Sequence, residues 1–237
     1  MPPTRTERRE DVTARILEIG RRHLAEHGAA ALSLRAVTRD LGMVSSAVYR
    51  YVASRDELLT LLLVDSYGAQ ADAVDAAVAT ASERAWDERL VVAAGAFRAW
   101  AVAEPSRYAL LYGSPVPGYA APPEATMETG TRVVGTLLRL VDEGVAAGEV
   151  AEGPVPDAVP SPSADDLASV AAEFGLTTSP AVMARGVLLW ATVVGATSLE
   201  VFGQFGADTF REPEQVFAQQ VRLAIAVLRG DVTPAPD

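Results

Sequence analysis

Apolar residues recur along this chain three and four positions apart, the spacing that lays a stripe along one face of a helix. In residues 10–27 the stripe is Val12, Ile16, Ile19, His23 and His27, widened by Leu17, Gly20 and Leu24, and Gly28 stops it. Ser33 can cap a short helix that runs to Asp40, and Gly42 supplies the left-handed residue after it. A tight turn then leads into a second short helix over 45–52. Ser54-Arg55-Asp56-Glu57 reads as a capping box. The serine hydroxyl takes an amide of the new helix and Glu57 reaches back to the start. That helix is apolar from Leu58 to Val64 and extends to about Thr80.

The same period continues downstream. Residues 86–103 place Leu90, Ala93, Ala94, Phe97 and Ala101 on one face, and Pro105 ends the helix. Residues 106–112 predict a short helical turn. Residues 113–123 predict a loop, because their prolines and glycine prevent regular pairing. Helices are expected over 124–147, 164–174, 180–203 and 213–229, with a surface loop at 148–163 and a tail after residue 230. In the last helix Phe217, Val221, Ala224 and Leu228 repeat, Pro213 suits the first turn and Gly230 the end. No alternating strand pattern and no internal repeat is present. The expected fold is all-α.

Composition narrows the function. Of 237 residues, 49% are hydrophobic, enough for a sizeable core, and there is no cysteine. Disulfides, thiolate metal sites and a cysteine nucleophile are therefore excluded. His23 and His27, four apart, are a metal-type pair without a visible third ligand, so packing is their expected role and no metal or cofactor is expected. The longest uncharged apolar run, residues 186–199, is shorter than the ~18 residues a membrane span needs. No apolar export signal follows the first methionine, which suits a cytoplasmic protein with no membrane partner. The net charge is −11, and all 20 basic residues are arginine. Residues 1–60 hold ten arginines against eight acids, whereas residues 61–237 hold ten against 23. Only the first segment can gather positive charge against a nucleic acid.

The stretch ALSLRAVTRDLGMVSSAVYRYVASRDELL, residues 31–59, has the parts of a helix-turn-helix. Leu34, Val37, Leu41 and Val48 can lock the helix pair. Ser45, Ser46 and Ala47 are small enough to head a helix entering a major groove. Tyr49, Tyr51, Arg35, Arg39 and Arg55 flank it with donors for phosphates. The pattern over residues 10–65, ending in AVYRYVASRDELL, resembles the TetR family of bacterial transcription regulators. Further on, LLWATVVGATSLEVFGQF at 188–205 is similar to the Trp-and-Gly signature of one TetR C-terminal subgroup, with Val194 where that subgroup often has histidine.

The resemblance implies a three-helix DNA-binding domain over residues 1–53 and a helical effector-binding and dimerisation domain over 54–237. It implies that Ser45, Ser46 and Ala47 face base edges. Arg50 is placed to reach a base, with a preference for guanine. Tyr49, Tyr51, Arg35 and Arg55 would hold phosphates, with Arg5, Arg8 and Arg9 as a basic arm. The partners implied are a palindromic double-stranded operator, a second copy of the chain and a small effector that releases the DNA from a repressor. Ala191, Gly195, Leu199, Phe217, Val221 and Leu228 are the expected dimer seam. Phe97, Trp100, Tyr108, Tyr112, Thr131 and Trp190 are the expected effector lining. Arg98, Arg107, Glu128 and Arg132 are the only polar anchors nearby in sequence, which points to an apolar or aromatic ligand.

Two other classes compete with this reading. An all-α enzyme lacks support, because no GxSxG elbow, GxGxxG loop, P-loop or HExxH helix is present. A helical module that uses the N-terminal helices on a protein partner is the alternative. DNA binding that falls with salt separates it from the favoured reading.

Overall fold

The computed structural model describes residues 4–152, 159–206 and 208–231. Every regular element among them is helical: α1 (Arg5–His27), a 3-10 turn (Ala29–Ala31), α2 (Leu34–Leu41), α3 (Ser45–Val48), α4 (Arg55–Thr80), α5 (Trp86–Ala103), α6 (Pro105–Tyr112), α7 (Pro123–Gly130), α8 (Arg132–Ala146), α9 (Ser163–Glu173), α10 (Pro180–Val201) and α11 (Pro213–Arg229). The expected loop at 148–163 and the tail after 230 lie partly outside the described residues. Packing divides the chain into two compact units, Met1–Ala69 with Glu104–Gly130, and Gln70–Ala103 with Thr131–Asp237.

In the first unit, Ile16 and Ile19 of α1 join Leu34, Val37 and Leu41 of α2, Val48 of α3, and Leu58, Leu59 and Leu62 of α4 in one buried cluster. α1 begins five residues earlier than its apolar stripe, because Thr4 and Glu7 form a capping box. The Thr4 side chain takes the Glu7 amide at 3.2 Å, and Glu7 takes the Thr4 amide. Arg8 and Arg9 therefore stand on the opening turns of a helix and not on a loose arm. At Ser54 the hydroxyl accepts the Glu57 amide at 3.1 Å, while Glu57 reaches the amide of Ala53, one residue before the expected one.

Two predicted helices change shape. The helix expected over 45–52 is regular only through Val48, and residues 49–51 form a turn that returns Val52 to the core. A run so short gains little from its own hydrogen bonds and follows its packing. The helix expected over 124–147 breaks at Thr131 into α7 and α8. Gly130 and Thr131 are both poor helix formers, and the glycine lets the backbone approach the Tyr67 ring, 3.4 Å from where a Cβ would stand.

In the second unit, α10 packs against α5, α8, α9 and α11, and α5 packs on α8 and α11. α10 is long and apolar enough to cross a membrane, unlike the shorter uncharged run within it, yet 44% of that window is buried in the protein. Arg185, on α10, donates to the carbonyls of Leu228 at 2.7 Å, of Ala181 at 3.2 Å and of Ala151, fastening the end of α11. Arg98 of α5 forms a two-pronged pair with Glu200 of α10, its Nε 2.6 Å from Oε2.

Candidate nucleic-acid interface

The helix-turn-helix is built from α2, the turn at Gly42 and α3. Ser33 caps α2 by accepting the Ala36 amide, and Gly42 ends it with φ 68°, a left-handed conformation that a side chain would strain. Leu34, Val37, Leu41 and Val48 are all buried, so the pair is locked by the four residues named for it. Thr38 adds a hydroxyl bond to the Leu34 carbonyl at 2.7 Å. His23 of α1 and Asp40 of α2 share a hydrogen bond of 2.6 Å, with the histidine buried. That bond is the main reason the Asp40 carboxyl sits below its usual range, and Arg39 and Arg22 reinforce it. The ring of His27 meets that of His23 edge-on at 5.8 Å, a packing contact. Arg39 lies 3.6 Å from Asp40 in solvent.

Solvent-facing groups then cluster on one side. Arg35 opens α2 and is exposed, Ser46 is exposed on α3, Ala47 is half-buried, and Tyr49 and Arg50 are exposed in the turn after it. Ser45 begins α3. Arg35 and Tyr49 line a groove of about 300 Å³ together with the starts of α2 and α4, Ser33 and Ser54 included. Two helix N-termini converge there, which favours an anion. Tyr51 is half-buried against the core cluster, and the Arg9 guanidinium lies over its ring at 5.9 Å. Tyr51 also lines a second groove, of about 580 Å³, with Arg8 and Arg15.

Arg55 has a different occupation from the one its position suggested. Its guanidinium donates to the carbonyls of Leu32 at 3.0 Å, Ala29 at 3.2 Å and Ala30 at 3.0 Å. It clamps the turn between α1 and α2 to the start of α4. Sequence reasoning missed this role, and nothing in the local pattern signals a contact 23 residues away.

The expected effector residues fall in both units. Tyr108, fully buried, and Tyr112 stack at 4.9 Å in the first unit, where Tyr112 meets Tyr67 edge-on at 6.5 Å. Burial raises the Tyr112 phenol well above its ordinary range, with Tyr67 and Tyr108 adding to it. In the second unit Phe97 and Trp190 meet edge-on at 5.5 Å, Trp100 is half-buried on α5, and Thr131 precedes α8. The anchors expected for a polar ligand are engaged inside the protein: Arg98 with Glu200, Arg107 with Asp65, and Arg132 with Asp72 and Asp75.

The expected dimer seam needs correction. Phe217 at 4% exposure, and Val221 and Leu228 at 0%, are spent inside one chain. A helix that supports α10 from within cannot offer the same side chains to a partner. Ala191, Gly195 and Leu199 do lie on an exposed face of α10, and Val187, Leu188 and Phe202 extend it. Leu223 is the exposed apolar residue of α11.

Residues 16–62 match the family described as bacterial regulatory proteins, tetR family, and residues 90–224 match the tetracyclin repressor-like C-terminal domain. HTH-type transcriptional regulators of Mycobacterium tuberculosis (strain ATCC 25618 / H37Rv) and Mycobacterium bovis are each 52% identical over 224 residues, 94% of this chain and 95% of theirs. Among solved structures, SCO4313, described as a regulatory protein, aligns at TM-score 0.72 with 31% identity, over 94% of this chain and 100% of that one. RolR in complex with resorcinol shares the fold at TM-score 0.53 and 17% identity, over 98% of this chain and 99% of that one.

Proposed function

Because the chain belongs to the TetR family of helix-turn-helix transcriptional regulators, which are not enzymes, we propose that it is a cytoplasmic repressor that binds a palindromic operator as a homodimer and leaves it when a small apolar effector binds. One observation carries this reading. Arg35, Ser46, Tyr49 and Arg50 face solvent around a helix pair whose apolar residues are wholly buried. Residues 1–53 act as the reading head. Ser45, Ser46 and Ala47 head the helix that enters the major groove, and Arg50 reads a base. Arg35 and Tyr49 hold phosphate at the groove where two helices begin, and Tyr51 holds the backbone beside Arg8 and Arg15. Arg55 serves by keeping the head on α4.

Residues 54–237 carry the other two tasks. The exposed face of α10, with Ala191, Gly195 and Leu199, joins Leu223 of α11 in a seam with its copy. Small residues let the helices approach closely, and a two-fold seam sets two heads against two half-sites. Aromatic residues in both units and the engagement of Arg98, Arg107 and Arg132 favour an uncharged, flat effector. α4 contributes to both units, so a ligand that prefers one position of α4 changes operator affinity.

The test is selection of binding sites from random duplex DNA with purified protein at low and high salt. A palindrome whose half-sites lie about 34 Å or a multiple apart is expected. No enrichment at low salt overturns the reading.

A further inference from the structure

Six of the nine arginines in the second unit are engaged by other groups of the protein. Arg89 pairs with Glu143, Arg98 with Glu200, Arg132 with Asp72 and Asp75, and Arg229 with Asp87 and Glu149. Arg185 is held by carbonyls, and Arg139 donates to Thr136. Arg84, Arg211 and Arg222 form neither an ion pair nor a side-chain hydrogen bond among the described residues, and Arg84 and Arg222 line one groove of about 490 Å³ between α5 and α11.

The same groove holds two acids, Glu88 and Asp231, that also form no ion pair among the described residues. Glu88 stands in the first turn of α5 and Arg84 in the bend before it, and the two do not pair. The remaining acid of the groove, Asp87, is taken by Arg229 at 2.8 Å. Arg229 also brings an unmet demand, since its Nε is buried with no acceptor among the described residues. Val91 and Val92 on α5 and Ile225 and Ala226 on α11 supply the apolar lining between these charges. Two unspent cations and two unspent anions thus surround an apolar strip. A simple anion would meet Glu88 and Asp231, and a simple cation would meet Arg84 and Arg222. A ligand carrying both charges on an apolar body satisfies each group.

We propose that this groove binds a zwitterion of the hydrophobic α-amino-acid class, with its carboxylate received by Arg84 and Arg222, its ammonium by Glu88 and Asp231, and its side chain by Val91, Val92, Ile225 and Ala226. The site is separate from the proposed effector residues, and it does not depend on DNA binding. Its ligand would act on α11, which packs along α10.

The test is isothermal titration of the full-length protein with L-leucine and L-phenylalanine, and with N-acetyl-L-leucine and L-leucinamide, which each lack one charge. One amino acid per chain is expected, with both capped forms weaker by at least about tenfold. Arg84→Gln and Arg222→Gln change exposed residues, so the fold survives, as circular dichroism would check. Each should weaken amino-acid binding about tenfold, while Arg211→Gln, an exposed arginine outside the groove, leaves it unchanged. No heat at millimolar amino acid overturns the proposal. So does a capped form that binds as tightly as the free amino acid, which would mark a site for a single charge. Full binding to the Arg84→Gln and Arg222→Gln proteins would place the ligand elsewhere and overturn it as well.

Discussion

Asp65 receives Arg107 twice: Nη2 of the arginine lies 2.9 Å from the Asp65 Oδ2 and 3.0 Å from its carbonyl oxygen. Arg21 of α1 takes the same carboxylate at 3.1 and 3.2 Å, so one acid joins α1, α4 and α6. Arg107 is only 8% exposed, which makes its charge dependent on that acid. Asp65→Ala removes the nearer carboxylate of a nearly buried guanidinium and leaves it Glu104, 3.8 Å away. It should lower stability by about 3 kcal/mol, read from the midpoint of urea unfolding. Asp65→Ala with Arg107→Met should recover part of the loss, since the uncompensated charge is then gone. A loss in the double variant equal to the sum of the two single losses would mean that the pair is not coupled.

Leu199 and Val221 are apolar residues of opposite burial on neighbouring helices. Leu199 is 37% exposed on α10, and Val221 is 0% exposed on α11. Leu199→Glu should keep the helical signal and thermal midpoint while shifting mass from dimer to monomer in light scattering. Val221→Glu should instead unfold the protein, because it buries a charge without a partner. A Leu199→Glu protein that remains dimeric rules out this face as the seam.

These two positions also mark what could be read in advance. Periodicity found every long helix, because burial imposes it on the sequence. It placed Phe217, Val221 and Leu228 on a real stripe. It could not say whether that stripe meets a second chain or α5 and α10 of its own, since both partners ask for the same apolar residues. The locked core of the helix-turn-helix was legible because Leu34, Val37, Leu41 and Val48 sit at fixed offsets from a capping serine and a turn glycine. The capping box Thr4-x-x-Glu7 was equally legible and went unread, since no apolar residue follows it until Val12. Arg55 and Arg98 were illegible for another reason. Their partners, the carbonyls near residue 30 and Glu200, are fixed by tertiary packing and leave no local trace.

Asp40 makes stability depend on acidity in one direction. Its hydrogen bond from His23 is the largest cause of a folded-state pKa below the ordinary aspartate range. A depressed carboxyl pKa favours the fold above its unfolded value, and the benefit disappears as pH falls through the lower folded value. The thermal midpoint should therefore drop between about pH 5 and pH 3, and the drop should be smaller for Asp40→Asn. Identical profiles for both proteins would remove Asp40 from the account.

Gly144 is held to glycine by a ring. A Cβ there would stand 2.7 Å from Cδ2 and Cε2 of Trp86. That indole cannot swing aside cheaply, because Nε1 donates to Glu149 at 3.0 Å and Arg229 lies over the ring at 5.4 Å. Gly144→Ala should cost about 1–3 kcal/mol through overpacking, despite the better helix propensity of alanine. An unchanged or raised unfolding midpoint would mean that α8 and α5 separate easily.

Arg35 and Arg50 should respond differently when either is removed from the reading head. Arg35 lines the groove where α2 and α4 begin, the proposed place for a phosphate, whereas Arg50 is exposed in the turn after α3 and is proposed to read a base. A phosphate contact carries no sequence information, but it releases counterions on binding. Arg35→Gln should therefore weaken every duplex alike and reduce the slope of log affinity against log salt by about 0.9. Arg50→Ala should cost about 1–3 kcal/mol on the selected operator and relax the preference at one base pair in each half-site. Fluorescence anisotropy over a salt series, on the operator and on a scrambled duplex, separates the two. If Arg50→Ala weakened the operator and the scrambled duplex equally, the residue would be another phosphate ligand, and base recognition would rest on Ser45, Ser46 and Ala47.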